Sequence, residues 1–192
     1  MKRLAFFALL LVSTVAIAQA PMRVRGTITA LDGDVLSVKS REGKDLKIQL
    51  ASDAQVATAK KASAADFKPG AYVGVTSVKG PDGRLVARRV HALGAQVPQM
   101  HAPWDSIPDS MMTNATLEGT AQVGTGTELT LKYKDGEQRI LVTPQTEYFT
   151  FAPGTRADLK PGETIFTSAR PEGGQLLAQR VAVSKDGVKP PQ

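Results

Sequence analysis

The sequence predicts an all-β protein with short helices, arranged as two tandem small barrels joined by a linker that contains Pro and Met. Three observations lead there. Apolar residues alternate with polar ones in short runs, the mark of half-buried strands. Turn signals such as "DGD" at Asp32–Asp34 punctuate those runs. The third is a motif that returns: "ADFKPG" at Ala65–Gly70 reappears as "ADLKPG" at Ala157–Gly162. It lies inside a longer alignment that sets Gly26 on Gly119, Gly43 on Gly136 and "DGRLVARRV" above "GGQLLAQRV". Order, spacing and turn residues agree along both copies, which predicts an internal duplication.

Residues 1–18 read as a secretory signal peptide. Lys2 and Arg3 precede an apolar run, and a small-residue exit allows cleavage after Ala18 or after Ala20. Cleavage after Ala18 is preferred, because a cut after Ala20 would place Pro21 beside the scissile bond. No later stretch approaches the roughly twenty apolar residues of a membrane span. The expected location is therefore periplasmic or secreted. The chain has no Cys, which removes disulfides, thiol nucleophiles and thiolate metal sites from consideration. Its net charge is +6, two units of which are Lys2 and Arg3. A surplus that small and diffuse does not point to a polyanion partner.

The first repeat, residues 21–93, shows alternation over Val24–Leu31, Val35–Ser40 and Asp45–Leu50. A polar stretch, "ASDAQVATAKKASAADFKPG", follows, and two more strands are expected near Ala71–Val78 and Arg84–Ala92. The second repeat spans 116–185 and the tail 186–192. Three strands, a short helix and two strands is the chain order of the OB-fold, so each copy is expected to close its own five-stranded OB-like barrel. The repeated motif sits between the third and fourth strands. Ser63 lies three residues before Asp66, and Thr155 three before Asp158, the spacing of a helix cap with an acidic residue at its third position. Pro-Gly then ends the turn, and Phe67 and Leu159 are left to plug a barrel end. Asp66 and Asp158 thus read as caps and not as catalytic acids.

The linker, 94–115, lacks periodicity and carries Pro98, Pro103 and Pro108. It also holds Trp104, the only Trp, together with Met100, His101, Met111 and Met112. Two readings stand here. Trp104 and the methionines can pack the linker against one or both barrels and fix their orientation, with Asp105 and Asn114 as further interface candidates. Alternatively Met100, His101, Met111 and Met112 form a soft-metal site, since thioether and imidazole suit Cu(I). His91, in the fifth strand with Ala87 and Arg89, is expected at the solvent face.

Catalytic motifs are missing from the sequence. There is no Gly-x-Ser-x-Gly elbow, no His-Glu-x-x-His and no phosphate loop, and "GTGTE" at Gly124 lacks the Lys. Nucleic acid is not expected, because stacked aromatics among basic residues are sparse: Tyr133 lies between Lys132 and Lys134, but the first copy has Ser40 at the matching place. The expected activity is non-catalytic binding or assembly, with no cofactor apart from the copper alternative, and a periplasmic protein or a glycan as partner.

The chain resembles a group of bacterial exported proteins built from duplicated OB-like domains of unknown function. "PWDSIPDSMMTNAT" matches the linker of a subgroup often labelled "metal ABC transporter permease", and "LTLKYKDGEQ", "LKPG" and "SKDGVKPP" match its second repeat. The permease label does not suit a sequence whose one hydrophobic segment is the leader. The resemblance implies Pro-Gly-Ser where this chain has Pro108-Asp109-Ser110, and it brings no catalytic or ligand residues.

Overall fold

The computed structural model describes residues 20–191; the leader expected at 1–18 lies outside them, and only the alternative cleavage point at Ala20 falls within. The described residues fold into twelve strands and two single 3-10 turns. The first six strands are β1 (Met22–Asp32), β2 (Val35–Ser40), β3 (Asp45–Lys61), β4 (Tyr72–Lys79), β5 (Leu85–Ala92) and β6 (Met100–Trp104). The remaining six are β7 (Ser110–Val123), β8 (Gly126–Tyr133), β9 (Gly136–Val142), β10 (Glu147–Pro153), β11 (Thr164–Glu172) and β12 (Gln175–Val183). The 3-10 turns cover Ala64–Asp66 and Arg156–Asp158. No helix among the described residues is long and apolar enough to cross a membrane.

The expectation that each copy closes on itself is corrected by the ladders. β1 pairs β2, β2 pairs β3, β3 pairs β12 in parallel, β12 pairs β11, and β11 returns to β1. This is a closed five-stranded ring, and two of its strands come from the far half of the chain. A second circuit of pairings runs β4–β5–β9–β8–β7 and back to β4, closed between β5 and β9 by Leu85 against Ile140 and Val86 against Leu141. Each ring follows the order first, second, third, fifth, fourth that an OB-like barrel requires, but its fourth and fifth strands are exchanged between the halves.

The exchange has a visible cause. β3 continues past Leu50, where the sequence suggested its end, to Lys61; seventeen residues make it about 50 Å long. Its far half, Ala57–Lys61, pairs antiparallel with β10, Phe149 facing Lys61 and Pro153 facing Ala57. The chain therefore leaves β3 beside the other ring, and the 3-10 turn, β4 and β5 are delivered there. β10 does the reverse, pairing β5 in parallel at Glu147–Phe149 on its way.

Two cores follow from the two rings. Val24, Ile28, Leu36, Ile48 and Leu50 from the first half pack with Leu159, Ile165, Val181 and Val183 from the second. Phe67, Val73, Val75 and Val90 from the first half pack with Leu117, Leu129, Leu131 and Ile140 from the second. Phe67 and Leu159 are buried plugs as expected, each in the ring opposite its own first three strands. The Asp66 carboxylate accepts from the Ser63 backbone N–H (2.7 Å) and hydroxyl (3.0 Å), and Asp158 accepts from the Thr155 N–H (2.8 Å). Those backbone donors come first among the causes that hold both carboxyls below the usual range, and Lys185 adds to the effect at Asp158.

The alignment of Gly26 on Gly119 is not the spatial one. Ile28 and Leu117 are equivalent: each exchanges backbone bonds with the residues that follow a Pro-Gly turn, Gly162 and Glu163 for Ile28, Gly70 and Ala71 for Leu117. The β7–β8 hairpin is consequently longer than β1–β2 and stands out beyond its ring. Gly26 has its own reason to be glycine, since a Cβ there would collide with the Lys39 carbonyl and the Val38 side chain.

Candidate functional site

The linker is more ordered than its composition suggests. β6 pairs β7 from Met100 against Asn114 to Trp104 against Ser110, so half of 94–115 is sheet. The turn between them has Asp109 at φ 56°, a left-handed conformation that Gly adopts most easily and Asp tolerates.

That turn holds a clamp between the two rings. Arg25 of β1 is only 3% exposed, and its two terminal nitrogens donate to the Asp105 carboxylate at 2.8 and 2.9 Å. The Arg25 guanidinium lies 5.0 Å from the Phe166 ring centre and 5.3 Å from Trp104, and Arg23 stacks on Trp104 at 4.3 Å. Burial works against the Asp105 charge, but the Arg25 hydrogen bonds and charge outweigh it and hold the carboxyl below its ordinary range. Asn114 fastens the start of the linker by donating to the Pro98 carbonyl at 3.1 Å. The packing reading of Trp104, Asp105 and Asn114 thus corresponds to a defined joint.

The four soft-metal candidates divide. Opposed residues of an antiparallel pair share a face, and neighbours in sequence alternate. The β6–β7 register therefore puts Met100 and Met112 on one face, and His101 and Met111 on the other. Met112 is buried. His101 hydrogen-bonds the Thr113 hydroxyl at 2.9 Å and lies against Tyr133. The structure brings the donors together in pairs, on opposite sides of the sheet.

His91 is corrected from exposed to buried, at 4%. The parallel pairing of β5 with β10 covers it: its ring stacks on Phe149 at 4.9 Å and meets Phe151 edge-on. Gly74 on β4 makes room for it, since a Cβ there would lie 2.5 Å from the imidazole. Desolvation, with the Arg89 charge second, lowers its pKa to about 4.

A cavity of about 710 Å³ opens at one end of the second ring. It lies between the Ser63–Phe67 plug and the projecting β7–β8 hairpin, with Thr143–Tyr148 as its third side. The floor is apolar, formed by Val73, Val90, Leu117, Leu129 and Val142, and none of the lining residues is charged. Phe67 and Tyr148 pack against each other at its edge, ring centres 5.8 Å apart. The Tyr148 and Thr120 hydroxyls bond to no other described residue, and burial raises the Tyr148 pKa.

The matching end of the first ring is spanned by an ion pair. There Arg156, in the 3-10 turn, reaches across to the Asp34 carboxylate and donates to the Ala51 carbonyl at 2.9 Å. In the second ring the place of Arg156 in the repeated motif is taken by Ala64, and that of Asp34 by Thr127. Both line the cavity, as does Thr143 at the end of β9. Two small uncharged residues stand where an ion pair bars the other mouth. Of these lining residues the sequence marks only Ser63 and the plug Phe67; its signal for the mouth is the contrast of "TRADLKPG" with "SAADFKPG".

Among the described residues no group of three or more His, Cys, Asp or Glu is placed to hold a metal ion. No curated protein and no solved structure matches the chain. The five strands β1–β5, which divide between the two rings, nearly coincide with residues 25–91, and this stretch is similar to a family described as a domain of unknown function (DUF5666).

Proposed function

We propose that this is an exported, non-catalytic binding module made from two copies of one unit, and that its ligand enters the open mouth of the second ring. The observation that carries the proposal is the asymmetry of the two ends: one barred by Arg156 and Asp34, the other a charge-free cavity with an apolar floor. Its volume lies within the range of small-molecule and side-chain pockets, about 300–1,000 Å³. The clamp at Trp104 and Asp105 serves this role by holding the two rings in one orientation. Periplasmic export rests on the leader sequence, and a protein or glycan remains the partner class.

Amide-detected NMR of the mature protein against a neutral fragment collection tests it. Shifts should cluster at Phe67, Thr120–Thr127 and Thr143–Tyr148. They should vanish in Ala64→Arg/Thr127→Asp, which rebuilds the bar of the first ring in the second. Shifts confined to other surfaces, or unchanged by the rebuilt bar, would remove the mouth from consideration.

A further inference from the structure

The cavity has a neighbour that narrows its ligand. β7 pairs β4 along one edge only as far as Thr116, with Leu117 bonded to the turn at Gly70 and Ala71. Beyond Leu117, that edge has no strand partner among the described residues, while the opposite edge of β7 stays paired with β8 out to Val123. Glu118–Val123 is therefore an open sheet edge of six residues, about 20 Å long. Glu118, Thr120, Ala121 and Gln122 are exposed. Thr120 and Gln122 also line the cavity, so the open edge and the apolar floor belong to one groove, with the 3-10 turn as its far wall. The same edge of β1 runs only from Thr29 to Asp32, and Arg156 pairs with Asp34 at that end of the ring.

We infer that the groove takes an extended, uncharged peptide segment of about six residues. Its backbone adds to the Glu118–Val123 edge as an extra strand, and one apolar side chain enters the cavity beside the Phe67–Tyr148 pair, over the floor of Val73, Leu117 and Leu129. An unpaired row of backbone N–H and C=O groups is satisfied by another backbone, and the alternate side chains supply selectivity. The absence of charge in the lining disfavours a segment that would bury an ionised side chain there. This inference rests on the mouth being the binding site and adds the class of ligand.

The test is a seven-residue random display library selected on the mature full-length chain. Enriched sequences should be neutral, with apolar residues at alternate positions. A synthetic peptide from the selection should bind at least tenfold more weakly to Ala64→Arg/Thr127→Asp and to Thr120→Trp, which narrows the rim from outside the core. Arg156→Ala should bind it as wild type does. Methylating alternate backbone amides of that peptide, with every side chain kept, should cost tenfold or more in one register and little in the other. Tolerance of methylation in both registers would overturn edge addition, as would enrichment of charged sequences or of none. If neutral oligosaccharides of two to six units bind instead, and the rebuilt bar abolishes that binding, the peptide inference falls and the mouth stands. If neither peptides nor oligosaccharides respond to the bar, both fall.

Discussion

Replacing Asp105 with Ala probes the joint on which the two rings depend. The Arg25 guanidinium is 3% exposed and both its terminal nitrogens bond to this one carboxylate, while its Nε has no partner. Removing one member of a fully buried ion pair costs about 3–5 kcal/mol, because the other charge is left without compensation. The Asp105 side chain is 48% exposed, so water can take over part of its role. About half the buried cost remains, ~2 kcal/mol, which for a chain of this size is about 4–8 °C in Tm. The assay is urea unfolding followed by Trp104 fluorescence and by circular dichroism. Asp82→Ala is the internal control: its pair with Arg84 is about half-exposed on both sides and screened by water, so its loss should be much the smaller. Arg25→Met combined with Asp105→Ala should recover part of the loss, since no charge is then left buried. A loss no larger than that of the control would refute the clamp. The clamp also has a pH signature. The Asp105 carboxyl is held below its unfolded value, so its contribution is present above about pH 4 and fades as the pH falls further.

Other outcomes follow from the same geometry. His91 has a folded pKa of about 4 against 6.5 unfolded, so the unfolded state binds the extra proton between those values; stability should fall by about 3 kcal/mol as the pH drops through that window, and His91→Leu should flatten the slope in urea titrations at pH 7, 6 and 5. Gly74→Ala should cost roughly 1–3 kcal/mol in the same assay, because the added Cβ meets an imidazole already stacked on Phe149. Arg156→Ala should cost only about 1 kcal/mol, since its side chain is one-third exposed, yet it should open the first ring to neutral fragments that wild type excludes there. Residues 21–93 alone should be unfolded or self-associated by size-exclusion chromatography and circular dichroism; a folded monomer of undiminished stability would contradict the exchange of strands.

Local features were the legible part of the fold. β2 lies where alternation placed it, Val35–Ser40, and the Ser63–Asp66 and Thr155–Asp158 caps form because a cap is decided within four residues. The extension of β3 was hidden, because "ASDAQVATAKK" is rich in Ala and Lys and its strand character comes from the partners β10 and β12 on its two edges. The exchange itself leaves no trace in periodicity. The two halves offer nearly the same ladder to β4 and to β11, and only the direction in which β3 leaves its ring decides between them. His91 was misplaced for a related reason: alternation assigns a face, but the parallel neighbour that covers this face is 58 residues away. At the mouth, the signal was a difference between copies. A small Ala64 where the other copy has Arg156 is unremarkable by itself and acquires meaning only once the Asp34 bond is seen.

The exchange of strands places Phe67 in the second ring and Leu159 in the first, and one pair of substitutions tests it directly in a chain that has no Cys of its own. Arg23 of β1 faces Ser168 of β11. If each half closed on itself, the equivalent partner would be Thr76 of β4, which instead faces Met112. Under mild oxidation, Arg23→Cys/Ser168→Cys should form an intramolecular disulfide in nearly all molecules and keep its unfolding cooperative. Arg23→Cys/Thr76→Cys should stay reduced. The reverse result, ready closure of the second pair and none of the first, would contradict the exchanged rings and the open mouth built from them.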